Sequence, residues 1–150
     1  MNIILSGAEM LVAAVSGAMR LISAEKKKLT PTAHGPRDWN YEIEGAMAEV
    51  AFAKFRKAYF DPSLNWFGLK DVDGYGVRHT GRADGCLIIR PEDGDGKYAL
   101  VTGGRGRYRV AGWQLAEEVK GWDECYKTFD DNREPAWFAP QDRLHQWADE

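Results

Sequence analysis

Two different residue periodicities divide this chain at Asp61-Pro62, and that division constrains the fold more than any other feature. Ahead of it, Ala8, Leu11, Val12, Val15, Ala18, Met19 and Ile22 recur at helical spacing. A second helical stretch there carries the small residues Gly45, Ala46, Ala48 and Ala51, which permit close packing on a sheet. Behind it lie short strand-like runs punctuated by Asp93-Gly94-Asp95-Gly96 and Gly103-Gly104-Arg105-Gly106, both strong turn signals. Helices followed by strands indicate an α+β class. The expectation is a mainly antiparallel or mixed sheet of about four to five strands with helices packed against it.

The boundaries follow from local chemistry. Ser6-Gly7-Ala8-Glu9 is a capping box that opens a helix over 6–28, and Lys26, Lys27 and Lys28 suit its C-terminal dipole end. A loop over 30–40 precedes a second helix over 41–59, with Glu42 and Glu44 near its N-terminus and Glu49 at its middle. Strands are predicted at 65–68, 75–80, 85–90, 98–102 and 108–113, and the short turns between the last four imply an antiparallel meander. The remainder, 114–150, reads as a short helical stretch to 119, an irregular segment over 120–139 and a final helix opened by Pro140. A chain of 150 residues is expected to form one domain.

Composition narrows the function. Twenty Lys and Arg against 23 Asp and Glu give a net charge of −3, which excludes a globally basic nucleic-acid binder and leaves only a local patch for such contacts. Cys86 and Cys125 match no metal-ligand spacing and read as free thiols of a reducing cytosol. The apolar run over 10–15 follows no basic segment and is far too short to span a bilayer, so no signal peptide, no membrane contact and a cytoplasmic location are expected.

Candidate chemistry centres on Asp71-Val72-Asp73-Gly74-Tyr75-Gly76-Val77-Arg78-His79-Thr80. Residues two apart on a strand share a face, so position 76 and Arg78 point one way while Val77 and His79 point the other. Glu49, Asp71 and Asp84 offer hard oxygen donors of the kind Mg²⁺ takes together with water and phosphate. The alternative is structural: Asp71 and Asp73 as turn formers, and Glu49 paired with Lys54 or Arg56. Arg78 suits a phosphate clamp or a cross-strand salt bridge. Arg82, Arg90, Arg105, Arg107 and Arg109, interleaved with Tyr98, Tyr108 and Trp113, suit contacts to a phosphate backbone or a solvated hairpin tip. No Gly-x-Ser-x-Gly or His-Glu-x-x-His occurs, and three histidines make a His-rich metal site a poor expectation.

The run from Glu44 to Ala51 with Lys54, the run from Lys70 to Thr80, and Asp84 to Pro91 carry a resemblance, together with Ala99 to Gly103 and Val110 to Trp113. They resemble a group of small phage and prophage proteins that looks like a compact branch of the PD-(D/E)XK nuclease-like superfamily. The similarity covers about residues 5 to 145. It implies a restriction-endonuclease-like core and Mg²⁺-dependent phosphodiester cleavage in the host-cell cytoplasm. By position, Glu49 matches the helix acid, Asp71 the acid of the first motif, and Arg78 the expected lysine; Gly76 stands where the second acid belongs. Glu49, Asp71 and Asp84 would then hold Mg²⁺ and Arg82, Arg105, Arg107 and Arg109 nucleic acid. Two functions follow: a nuclease, or a nucleic-acid binder with a degenerate site; and a non-catalytic accessory protein that binds a host or phage protein. A homodimer is a further expectation, because the first helix is apolar all round.

Overall fold

The capping box closes as its residues require. The Glu9 N–H donates to Ser6 Oγ at 3.2 Å and the Ser6 N–H donates to Glu9 Oε2 at 2.6 Å, so helix α1 (Gly7–Lys26) begins with two of its orphan donors satisfied. The structure, a computed structural model, describes residues 1–26, 39–62 and 71–148. The strand predicted at 65–68 and most of the loop predicted at 30–40 lie outside the described residues, as do positions 27 and 28 at the end of the first predicted helix.

Helix α2 (Trp39–Arg56) packs along α1. At Gly17 the two backbones nearly touch: a Cβ there would lie 2.6 Å from the Glu42 carbonyl oxygen and 2.7 Å from Ile43 Cα. The helix ends three residues before the predicted boundary. Lys57 adopts a left-handed φ of 53° and the Ala58 N–H reaches back to the Ala53 carbonyl at 2.9 Å. Glycine usually fills that left-handed position, so a lysine there gives no stop signal in sequence.

Strands β1 (Asn2–Ile4), β2 (Gly76–Thr80), β3 (Leu87–Ile89), β4 (Lys97–Gly104), β5 (Arg107–Leu115), β6 (Tyr126–Lys127) and β7 (Ala136–Ala139) divide into two sheets. The larger is mixed, in the order β1-β5-β4-β2, and the smaller is antiparallel, in the order β3-β7-β6. Helix α3 (Ala116–Val119) follows β5 directly. The α+β class with helices packed on a sheet is therefore the observed one.

The predicted meander is not. β2 pairs with β4 in parallel, from Gly76 beside Tyr98 to Thr80 beside Thr102. Parallel neighbours need a crossover, and the chain supplies it by leaving the sheet to place β3 in the second layer. β4 and β5 do form the expected hairpin, turning at Arg105 and Gly106 with φ of 54° and 84°, the paired left-handed geometry of a tight hairpin turn. β1 was not expected, and the segment over 120–139, expected to be irregular, holds β6 and β7. The predicted final helix reduces to one 3₁₀ turn at Gln141–Arg143. Strands of two to four residues are too short for alternation to declare them.

The mixed sheet has a core on each face. Val77, Ala99, Val101, Tyr108 and Val110 meet α2 through Ala48, Ala51 and Phe52. Tyr98, Leu100 and Ala111 meet Leu87, Ile89, Ala139 and Leu144 of the second layer. A register shift between Leu100 and Val101 keeps both faces apolar, since Leu100 faces Gly112 while Val101 faces Val110 and Ala111 is left over as a bulge residue.

Candidate functional site

Glu49 lies on the buried face of α2, and its partner is neither of the basic residues near it in sequence. Arg20 of α1 grips it with two parallel bonds, Nη1 to Oε1 at 2.7 Å and Nη2 to Oε2 at 2.8 Å. Burial pushes the Glu49 carboxyl above the usual carboxylate range; Arg20 opposes this, while Asp71 and Glu42 are near enough to add to it. Glu49 and Asp71 thus share a neighbourhood at the edge of the sheet. Asp71 there turns one oxygen inward, with the Val77 N–H donating to its Oδ2 at 2.7 Å. β2 is an edge strand, and this bond satisfies a donor the sheet leaves open. Asp73 and Gly74 form a tight turn with φ of 50° and 78° between Val72 and Tyr75, and Arg56 pairs with Asp73 at 3.0 Å.

Arg78 points to the opposite face of β2 from Val77, yet Asp71 is near enough to act on its charge. It aligns with Leu100, whose side chain belongs to the second core, and aligned residues share a face. Its guanidinium stands 5.0 Å from the Tyr98 ring centroid and donates to Asp93 Oδ1 at 2.6 Å. Burial works against the Arg78 charge, and Asp93 first, with Asp71 and Tyr98 adding, more than offsets it. Gly76 has the same orientation, and the place for a side chain is taken: a Cβ would lie 2.6 Å from two carbons of the Tyr98 ring. That ring is held by its hydroxyl, which donates to the Gly94 carbonyl at 3.1 Å. Asp84 sits on an exposed loop beside Arg82, 3.4 Å away.

As arranged, this donor set does not fit a bound Mg²⁺. Both Glu49 oxygens are committed to Arg20, one Asp71 oxygen to the backbone, and the second-acid position to an aromatic ring. Among the described residues, no three His, Cys, Asp or Glu side chains group in a way that would hold a metal ion.

The arginines are brought together instead. Arg107 and Arg109 lie two apart on β5, on the face away from α2, and both line a pocket of about 340 Å³ with Asn2, Thr102, Gly81 and Ala83. The Arg109 Nη2 donates to Gln141 Oε1 at 2.6 Å, and Gln141 Nε2 donates to the Ala83 and Gly85 carbonyls at 2.8 and 2.9 Å. One amide thus ties the loop after β2 to the arginine. On the opposite face Glu44 of α2 anchors the hairpin, accepting the Tyr108 hydroxyl and the Arg105 N–H at 3.1 Å. Burial, then the Glu44 carboxylate, pushes the Tyr108 hydroxyl up. Among the described residues no carboxylate forms a salt bridge with Arg105, Arg107 or Arg109. Arg82 borders the same loop but is paired with Asp84.

Sequence reasoning singled out the arginines but did not give Arg20, Glu44, Asn2 or Gln141 their roles, since these act from 29 to 64 positions away or from an unexpected strand. The capping box and the hairpin turn were the signals available, and neither reports a long-range partner. No family model, no curated protein and no solved structure matches this chain.

Proposed function

We propose that this protein binds nucleic acid through the arginine face of its β4–β5 hairpin, on a nuclease-like scaffold of phage type whose hydrolytic site is degenerate. The observation that carries this reading is the convergence of Arg107 and Arg109 on one pocket with no carboxylate to neutralise them among the described residues. Uncompensated guanidiniums, here with Arg109 held by Gln141, favour phosphate oxygens, which they meet bidentately. An overall charge of −3 confines the attraction to this face. The resemblance to PD-(D/E)XK proteins accords with a nucleic-acid ligand. Cleavage assisted by Mg²⁺ on Glu49, Asp71 and Asp84, with Arg78 on the phosphate, is the less supported branch, because Arg20 would first have to release Glu49.

Fluorescence anisotropy with a labelled single-stranded oligonucleotide tests the reading. Arg107→Ala is expected to weaken binding several-fold and to reduce the slope of log K against log salt by ~0.7, the value of one phosphate contact. An unchanged slope would remove the arginine face from consideration. A plasmid-nicking assay with Mg²⁺ is expected to show no cleavage; nicking that Asp71→Ala abolishes would restore the nuclease.

A second reading, binding to a host or phage protein or to another copy of the chain, is favoured by one observation. Leu11, Val12, Val15 and Met19 on α1 are 44–66% exposed and follow one helical stripe. Light scattering across concentration, for wild type and Leu11→Lys/Val15→Lys, separates a self-association that the double variant abolishes from a stripe that covers nothing.

A further inference from the structure

The arginine pocket differs from a surface that tracks a continuous strand. A phosphodiester carries one negative charge, whereas a phosphate monoester carries about two near neutral pH, its second ionisation lying near 6. Arg107 and Arg109 stand side by side about 7 Å apart along β5, and both face one recess. They supply two positive charges there with no acidic partner among the described residues. We infer that this recess is a site for a phosphate monoester, seated between the two guanidiniums and carried either by the end of a nucleic-acid strand or by a free nucleotide. The inference rests on the nucleic-acid reading and deepens it.

Three features support a built site. The first is size: about 340 Å³ stands at the small end of ligand pockets, enough for a terminal nucleotide and far too small for a duplex. The second is preorganisation. Gln141 fixes Arg109 with its Oε1 and holds the Ala83 and Gly85 carbonyls with its Nε2, so the wall and the charge it carries move as one unit. The third is complementary polarity. Asn2 lines the recess beside the arginines while the buried Thr102 hydroxyl donates to the Arg109 carbonyl, and Gly81 leaves its side of the wall open, since a Cβ there would meet nothing within 4 Å. No aromatic side chain with an open face lines the pocket, because Tyr108 is only 2% exposed. Recognition therefore falls on phosphate and sugar, without a base-stacking platform.

The experiment compares one oligonucleotide sequence ending in a 5′-phosphate, a 3′-phosphate or hydroxyls only, with adenosine 5′-monophosphate as the free nucleotide. The intact chain is used, and binding is followed by anisotropy and by competition. Phosphorylated ends are expected to bind at least tenfold more tightly than hydroxyl ends. The Arg107 side chain forms no salt bridge with a described residue, and its strand pairing is through the backbone, so its replacement should leave the fold intact. Arg107→Ala should abolish the preference, and Arg107→Lys, which lacks the planar fork, should recover only part of it. Equal binding of phosphorylated and hydroxyl ends would overturn the inference while leaving the nucleic-acid reading in place, as would a preference that survives Arg107→Ala. Binding of the mononucleotide with no binding of any oligonucleotide would support the monoester site and overturn the nucleic-acid reading. No binding of either probe would overturn both.

Discussion

Glu49 shows how a single residue acquires its role from a partner. With 11% of its side chain exposed and Arg20 at 23%, the pair is largely dry, and removing one member leaves the other charged and buried. Arg20→Met is expected to cost roughly 3 kcal/mol near neutral pH. Burial already raises the Glu49 carboxyl above its unfolded value, with Asp71 and Glu42 adding to the rise; without Arg20 it must climb further. Between the unfolded and folded values the native state keeps a proton that the unfolded chain has released. Stability therefore falls as pH rises across that interval, more steeply in the variant than in wild type. Urea midpoints at about pH 5 and about pH 8 measure this. Adding Glu49→Gln should remove the extra pH dependence; a loss of equal size at both pH values would contradict the assignment.

At the scale of elements, the crossing of α1 over α2 turns on one missing methyl group. Alanine normally stabilises a helix interior over glycine by roughly 0.5–1 kcal/mol. Gly17→Ala is expected to reverse that sign and cost roughly 2 kcal/mol, because its Cβ would enter the α2 backbone. Gly45→Ala, on α2, meets nothing within 4 Å and should gain the usual increment. Thermal melts of the two variants give a matched comparison, and stabilisation by both would mean the helices are not in backbone contact. The capping box, the β4–β5 hairpin and both helices were legible in the chain because each is closed by bonds between residues a few positions apart. The end of α2 was not, since its left-handed residue is Lys57. β6 and β7 escaped notice because strands of two and four residues are too short for an alternation to show.

For the whole molecule, the mixed sheet is shared by two cores, one under the helices and one under the second sheet. Neither layer can lose its half of β4 and β5 without exposing the other. Unfolding is expected to be a single transition in which far-ultraviolet circular dichroism and tryptophan fluorescence coincide. Trp113 and Trp147 report on one layer and Trp122 and Trp137 on the other. Ile89→Ala should lower the midpoint of the whole transition, at a cost of roughly 2–5 kcal/mol. Two separated transitions would show that the second sheet folds on its own. The parallel pairing of β2 with β4 belongs to this scale as well: the turn signals around 93–96 mark where the chain reverses, but not which sheet it reverses into.

The chain alone determined its class, its capping box, its hairpin and the clustering of arginines near one turn, because all of these depend on neighbours within a few residues. Tertiary structure decided the rest. It paired Glu49 with Arg20, put the Tyr98 ring where an acid was sought, and sent Arg78 to the far face of the sheet. It also set Gln141 against Arg109 to shape a pocket. Each of these contacts depends on which segments share a layer, and that is chosen by the burial of two apolar faces at once, a property of the assembled sheet that no local spacing encodes.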